Sequence, residues 1–152
     1  MKLPSNVKIV VDKPPVWENA TAAFKVNPGT VLFAYGDTIY NPGGVDLEKA
    51  DDIIAHELVH IGQHENSREK AALWWGKYLR DADFRLSQEV EAYGKQYHYI
   101  CTRKTQNRQL RFNTLRTFAQ ILSGPLYGNM VSMQKAMELI KNESQKHEPS
   151  IH

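Results

Sequence analysis

Apolar residues in the first third of the chain fall in short runs with the period of strands, and after Gly43-Gly44 they change to the period of helices. The β-branched run "VKIVV", Val7 to Val11, reads as a strand closed by Pro14-Pro15, and "TVLFAYGDTIYNPGG" reads as two short strands about Gly36-Asp37. Asp46 is a plausible N-cap, and Glu48, Asp51 and Asp52 follow where the first turns of a helix favour acids, so a helix is expected from Leu47 to His64. Helical stretches are then expected from Ser67 to Arg80 and from Phe84 to Lys104, with Asp81-Ala82-Asp83 as the break between them. A fourth, Asn107 to Ser123, spaces Leu110, Leu115, Phe118 and Leu122 for a buried stripe, and "GPLYGN" ends it. Met130 to Asn142 reads as a last short helix before a polar tail over 143–152 that is expected to fray. The pattern predicts one α+β domain over residues 1–152, with strands and loops in 1–45 and helices in 46–142.

With 152 residues, 41% of them hydrophobic, the chain can bury a core without covalent staples. Cys101 is the only cysteine, which excludes an intramolecular disulfide and any cysteine-based zinc site; a metal here needs histidine and carboxylate ligands. The first residues carry no apolar stretch of signal-peptide length, and no later stretch approaches the roughly 20 apolar residues of a membrane span. The expectation is a soluble, cytoplasmic protein. Ala92 to Met137 contains seven positive charges and no acid, which leaves the remainder at −5 within a net charge of +2. That segment reads as a solvated basic face answered by acids elsewhere, because a nucleic-acid role would need a recognised motif or a dense basic cluster with stacking aromatics.

The chemistry is concentrated in "DDIIAHELVHIGQHEN", Asp51 to Asn66. On a helix, His56 and His60 lie one turn apart on one face, so their imidazoles can converge on one zinc ion. Glu57 projects beside them, placed to act as general base toward a metal-activated water and to pass its proton to a leaving amine. His64 lies about 12 Å along the axis from His56 and is rejected as a third ligand. The metzincin pattern asks for Gly at position 63 and His at position 66, where this chain has Gln63 and Asn66. A third ligand must then come from a second helix, where Glu89 and Glu91, two residues apart, cannot both face the histidine pair.

His56-Glu57-Leu58-Val59-His60 followed by Glu89-Val90-Glu91-Ala92-Tyr93 resembles the gluzincin branch of zinc metallopeptidases, and the compact chain with its "LSGPLYGNMVSMQKAMELI" close is similar to short zinc-peptidase-like proteins of bacteriophages and bacteria. The resemblance implies a zincin-like fold, a small N-terminal sheet followed by a helical bundle that carries the active-site helix and the third-ligand helix. It implies Zn2+ held by His56, His60 and Glu89, with Glu91 as the alternative ligand, and hydrolysis of a peptide or protein substrate with Glu57 as the base. Where the family has Asp in Glu-x-x-Ala-Asp, this chain has Tyr93, an uncharged phenol that would orient a ligand histidine. Tyr93, Tyr97, His98 and Tyr127 are the candidate oxyanion donors. Peptidases of this kind hold substrate as an added strand, for which Val31 to Tyr35 or Thr38 to Tyr40 is the candidate edge, with a plain structural hairpin as the equal alternative. Of Trp74 and Trp75, one is expected in the core; for the other a cleft wall, core packing and a partner surface are equal alternatives. The alternative function is a non-catalytic zincin-fold binding or assembly protein, phage-encoded and virion-associated.

Overall fold

The computed structural model describes residues 2–147, so residues 148–152 of the expected polar tail lie outside the described residues. Three strands, β1 (Lys8–Val10), β2 (Phe33–Tyr35) and β3 (Thr38–Tyr40), form one small sheet in the order β1-β3-β2. β1 pairs parallel with β3, Ile9 opposite Ile39, and β2 pairs antiparallel with β3, Ala34 opposite Ile39. The β2–β3 hairpin turns on Gly36, whose φ of +67° suits a residue without Cβ.

A parallel pair cannot be joined by a tight turn. The connection from β1 here contains a helix absent from the sequence expectation, α1 (Trp17–Ala23). Val16, Ala20 and Phe24 stand four apart and give it an inward face, but seven residues are too few to show a helical period against the flanking prolines. Trp17 packs edge-on against Phe33 at 5.7 Å and fixes α1 to the sheet.

Five longer helices follow: α2 (Asp51–Gln63), α3 (Arg68–Arg80), α4 (Ala82–Arg103), α5 (Arg108–Leu122) and α6 (Met133–Gln145). The helix expected from Leu47 is divided, because Asp46 caps a separate 3-10 turn, Leu47–Lys49, and Ala50 breaks to φ −119° before α2 begins. Side chains set the other starts. Ser67, Asp81, Asn107 and Ser132 each accept a backbone N–H from the first turn they precede. Asp81 thus ends α3 and starts α4, as the break in the sequence foretold.

Helix α4 is central and packs against α2, α3, α5 and α6. Leu115, Phe118 and Leu122 bury the inner face of α5, but Leu110 is half exposed. Arg111 takes the inward place in that first turn, donating from Nη2 to the Cys101 carbonyl at 2.6 Å and from Nε to the Thr105 carbonyl at 3.0 Å. It satisfies carbonyls left over at the end of α4, a task an aliphatic side chain cannot perform. No described helix is long and apolar enough to cross a membrane.

Gly94 lets α6 approach α4 closely, since a Cβ there would stand 2.6 Å from Glu143 Cγ and 2.8 Å from Glu143 Cβ. Gly94→Ala gains about 1 kcal/mol of helix propensity but forces α6 outward at an overpacking cost of about 1–3 kcal/mol. The expected result is a lower urea midpoint; a raised midpoint would mean that this contact yields freely.

Candidate metal centre

α2 turns Ile54, Ala55 and Ile61 toward the sheet and core, and the same buried side carries His56, Glu57 and His60. α4 faces it with Arg85, Glu89, Ala92, Tyr93 and Gln96, a buried stripe at helical spacing. Together they bring three ligand-type atoms into a near-equilateral triangle. His56 Nε2 and His60 Nε2 are 3.2 Å apart, and Glu89 Oε1 lies 3.0 Å from the first and 3.1 Å from the second. Tetrahedral zinc with bonds of 2.0–2.1 Å separates its ligand atoms by about 3.3–3.4 Å, so the triangle has the size of such a site. Glu57 completes a His–Glu–His group that could also hold a metal, but its Oε2 stands off at 3.7 Å from His56 Nε2. Both carboxylates adjoin the histidine pair, Glu89 with one oxygen in the triangle and Glu57 with one oxygen beside it.

The hydrogen bonds behind the histidines decide which way their lone pairs point. Gln96 Nε2 donates to Asp52 Oδ2 at 2.8 Å, an atom that only accepts, which turns Gln96 Oε1 toward His56 Nδ1 at 2.9 Å. Gln63 Nε2 donates to the Gln88 carbonyl at 3.1 Å, which turns Gln63 Oε1 toward His60 Nδ1 at 2.7 Å. Each Nδ1 therefore carries a proton, and each Nε2 faces the other and the Glu89 carboxylate, where it holds either a second proton or a lone pair free for a cation. Three lone pairs in a buried site repel one another unless a positive charge lies between them. A proton supplies that charge in part: burial would lower the His60 pKa, but the Glu89 carboxylate outweighs it and raises it to about 9. Burial would likewise raise Glu89, and the two histidines overcome it, holding the carboxyl well below its usual range. A divalent cation satisfies all three atoms at once, and the donor set of two neutral imidazoles and a carboxylate suits zinc.

Burial pushes the Glu57 carboxyl up, opposed by the histidines and by a hydrogen bond from the Ala34 backbone. The four site residues border a small pocket of about 60 Å³, walled by Phe24, Trp75 and Leu126, and His56 and Glu57 also border a larger cleft of about 470 Å³. The walls of that cleft include Val31, Phe118 and Tyr127.

The other expected site residues separate into those in the site and those away from it. Glu91 is exposed and points away. Tyr93 does not hydrogen-bond a histidine; its ring packs edge-on against His56 at 4.5 Å and its hydroxyl meets the Tyr127 hydroxyl at 2.9 Å. Gln96 does the orienting instead. Tyr127 borders both pocket and cleft, whereas Tyr97 and His98 are not among the residues lining either. Trp74 and Trp75 are both buried in the core and both line the small pocket beside the site, and neither borders the larger cleft. Trp75 Nε1 donates to the Ala34 carbonyl at 3.1 Å, occupying the edge of β2, while β3 is paired on both sides. Neither expected segment offers a free edge over residues 33–35 or 38–40, while Val31 and Leu32, the start of the first segment, border the cleft. Sequence reasoning missed Gln63, Arg85 and Gln96 as parts of the site. Arg85 and Gln96 were signalled by polar residues recurring with Glu89 on the inward stripe of α4.

His64, rejected as a ligand, is fully buried and accepts the Gly36 N–H at Nδ1, 3.0 Å away, tying the hairpin turn to the end of α2. Its ring packs against Trp74 at 4.5 Å. Comparison with family models, curated proteins and solved structures finds no match to this chain.

Burial lowers the His64 pKa from 6.5 to about 3, with the nearby His60 acting in the same direction. Between those values the unfolded chain binds a proton that the folded chain does not, so stability falls as pH drops through this window. In chelator-treated protein, the slope of unfolding free energy against pH between 6 and 4 is expected to be shallower in His64→Gln than in wild type, by up to about 1.4 kcal/mol per pH unit. Equal slopes would show that His64 does not remain neutral in the fold.

Proposed function

We propose that the protein is a zinc-dependent metallopeptidase with a zincin-like fold of the gluzincin kind, binding Zn2+ through His56, His60 and Glu89. The observation that carries this reading is the triangle of Nε2, Nε2 and Oε1 atoms at 3.0–3.2 Å, with both histidine tautomers locked by glutamines. Bound zinc would supply a Lewis acid that polarises a peptide carbonyl and makes water a nucleophile near neutral pH. The remaining work falls to the chain.

Glu57 is the proton carrier. Its carboxyl is lifted by burial toward neutrality, as a general base requires, and it stands beside the triangle at the inner end of the cleft. It takes a proton from the attacking water and hands it to the leaving amine. The hydroxyls of Tyr93 and Tyr127 bond each other, which uses one O–H and leaves the other for the negative charge that develops on the carbonyl oxygen; both residues border the cleft. Burial keeps both phenols protonated, so the pair retains that one free donor. The peptide or protein substrate enters by the cleft, between α5 and the segment before β2.

A second reading, a zincin-fold binding or assembly protein that turns over no peptide, is favoured by one observation: Trp75 closes the β2 edge on which an extended substrate would lie. Glu57→Gln distinguishes the two. It is expected to reduce cleavage of unfolded protein chains by about 10²–10⁴-fold while zinc content stays at the wild-type level, and a chelator should suppress the wild-type fragments. Cleavage that persists in Glu57→Gln would remove Glu57 as the base; a zinc-loaded wild type that cleaves none of a varied set of chains would favour the second reading.

A further inference from the structure

Glu89 uses only one oxygen toward the histidines, and the structure gives a reason in Tyr78 of α3. The Tyr78 hydroxyl donates to Glu89 Oε2 at 2.5 Å, and both side chains are buried. Oε1 is then the oxygen that lies between the two Nε2 atoms. The terminal torsion of a glutamate is broad and two-fold, so without a partner on Oε2 the carboxylate could turn either oxygen, or both, toward the histidines.

Tyr78 is itself fixed from two sides. Its ring stacks on Trp74 at 4.7 Å and 22°, and Trp74 Nε1 is tied to Gln88 Oε1 at 2.8 Å. Its backbone carbonyl accepts from Arg85 Nη1 at 2.7 Å. Arg85 is a buried guanidinium, one turn of α4 before Glu89, and its hydrogen bonds go to backbone carbonyls rather than to a carboxylate. Besides Tyr78 it holds the Tyr127 carbonyl through Nε at 3.0 Å, and it lies over the Phe24 ring at 4.9 Å. A buried cation is costly unless its donors are satisfied, so its position is set by these partners, and it sets theirs in return. It links the helix that holds the ligand glutamate to the residue that holds that glutamate in place.

We propose that Tyr78, held by Arg85, is a positioning residue that restricts Glu89 to one-oxygen ligation and keeps a coordination position free for the reacting groups. The inference rests on the metal-centre reading above. Partners of this kind behind a ligand commonly contribute about 10–100-fold in metal affinity.

The test is the dissociation constant for zinc, by competition with a chelator, together with the visible spectrum of the cobalt-substituted protein, for wild type, Tyr78→Phe and Arg85→Lys. Tyr78→Phe keeps the ring and removes only the donor. It is expected to weaken zinc binding by about 10–100-fold and to shift or broaden the cobalt bands, which report the ligand geometry directly. Arg85→Lys, which loses the forked grip on two carbonyls, should move both readings in the same direction by less, and it carries the test if Tyr78→Phe does not fold. Unchanged affinity and spectrum in the folded variants would overturn the proposal while leaving the metal centre intact. Weaker binding with an unchanged cobalt spectrum would also overturn it, as the mark of a merely structural role. A wild type that binds neither zinc nor cobalt would overturn the metal-centre reading and this proposal together.

Discussion

The convergence of three lone-pair atoms, each about 3 Å from the other two in a buried site, is the constraint on which the rest of the structure depends. Left to themselves these groups would separate or take up protons, because burial penalises uncompensated charge and unpaired polar atoms alike. What holds them is a shell of neutral amides, a phenol and packed aromatics, each satisfied by a further partner. Asp52 and the Gln88 carbonyl fix the two glutamines, and Arg85 fixes Tyr78. A polar network of this kind is stable only when every member is paired. Its consequence is a site whose geometry is set before any ligand arrives.

The fold can be read as the means of holding α4 against α2. Capping by Asp81 fixes where α4 begins, and Gly94 admits α6 against its far side. The hairpin turn is tied to the end of α2 by His64, and β2 is tied to α3 by Trp75. Glu57 meets the backbone of the same strand at Ala34. Sheet, α2 and α3 are thus registered through a few buried polar contacts, and the aromatic-rich core continues from α1, the sheet and α3 through Tyr93 of α4 to α5 and α6. Trp74, Trp75 and Tyr78 belong both to that core and to the surroundings of the site, so packing and site geometry are held by the same side chains.

Periodicity and capping made most of the helices legible, because Ser67, Asp81 and Asn107 act locally and their signal needs no tertiary information. The pair His56 and His60, with Glu57, was legible for the same reason, since four residues on a helix determine a shared face. Glu89 could be named as the partner only through resemblance; the sequence alone left it level with Glu91, and the rotation of α4 against α2 separates them. Tyr93 was expected either to orient a histidine or to serve as an oxyanion donor; its ring passes His56 and its hydroxyl meets Tyr127, which leaves the second role. Gln96 and Gln63 were missed because glutamine on a helix is ordinarily a surface residue, and only burial reveals otherwise. α1 and the closed β2 edge depend on contacts far apart in the chain, Trp17 with Phe33 and Trp75 with Ala34, which no local pattern encodes.

The most direct test of the central claim is the zinc content per chain by elemental analysis, comparing wild type with Glu89→Ala after incubation with zinc and removal of the excess. Near-stoichiometric zinc in the wild type, falling sharply in Glu89→Ala, is the result expected if His56, His60 and Glu89 hold the ion. A well-folded wild type without zinc would contradict it, and so would a Glu89→Ala variant that keeps its full complement.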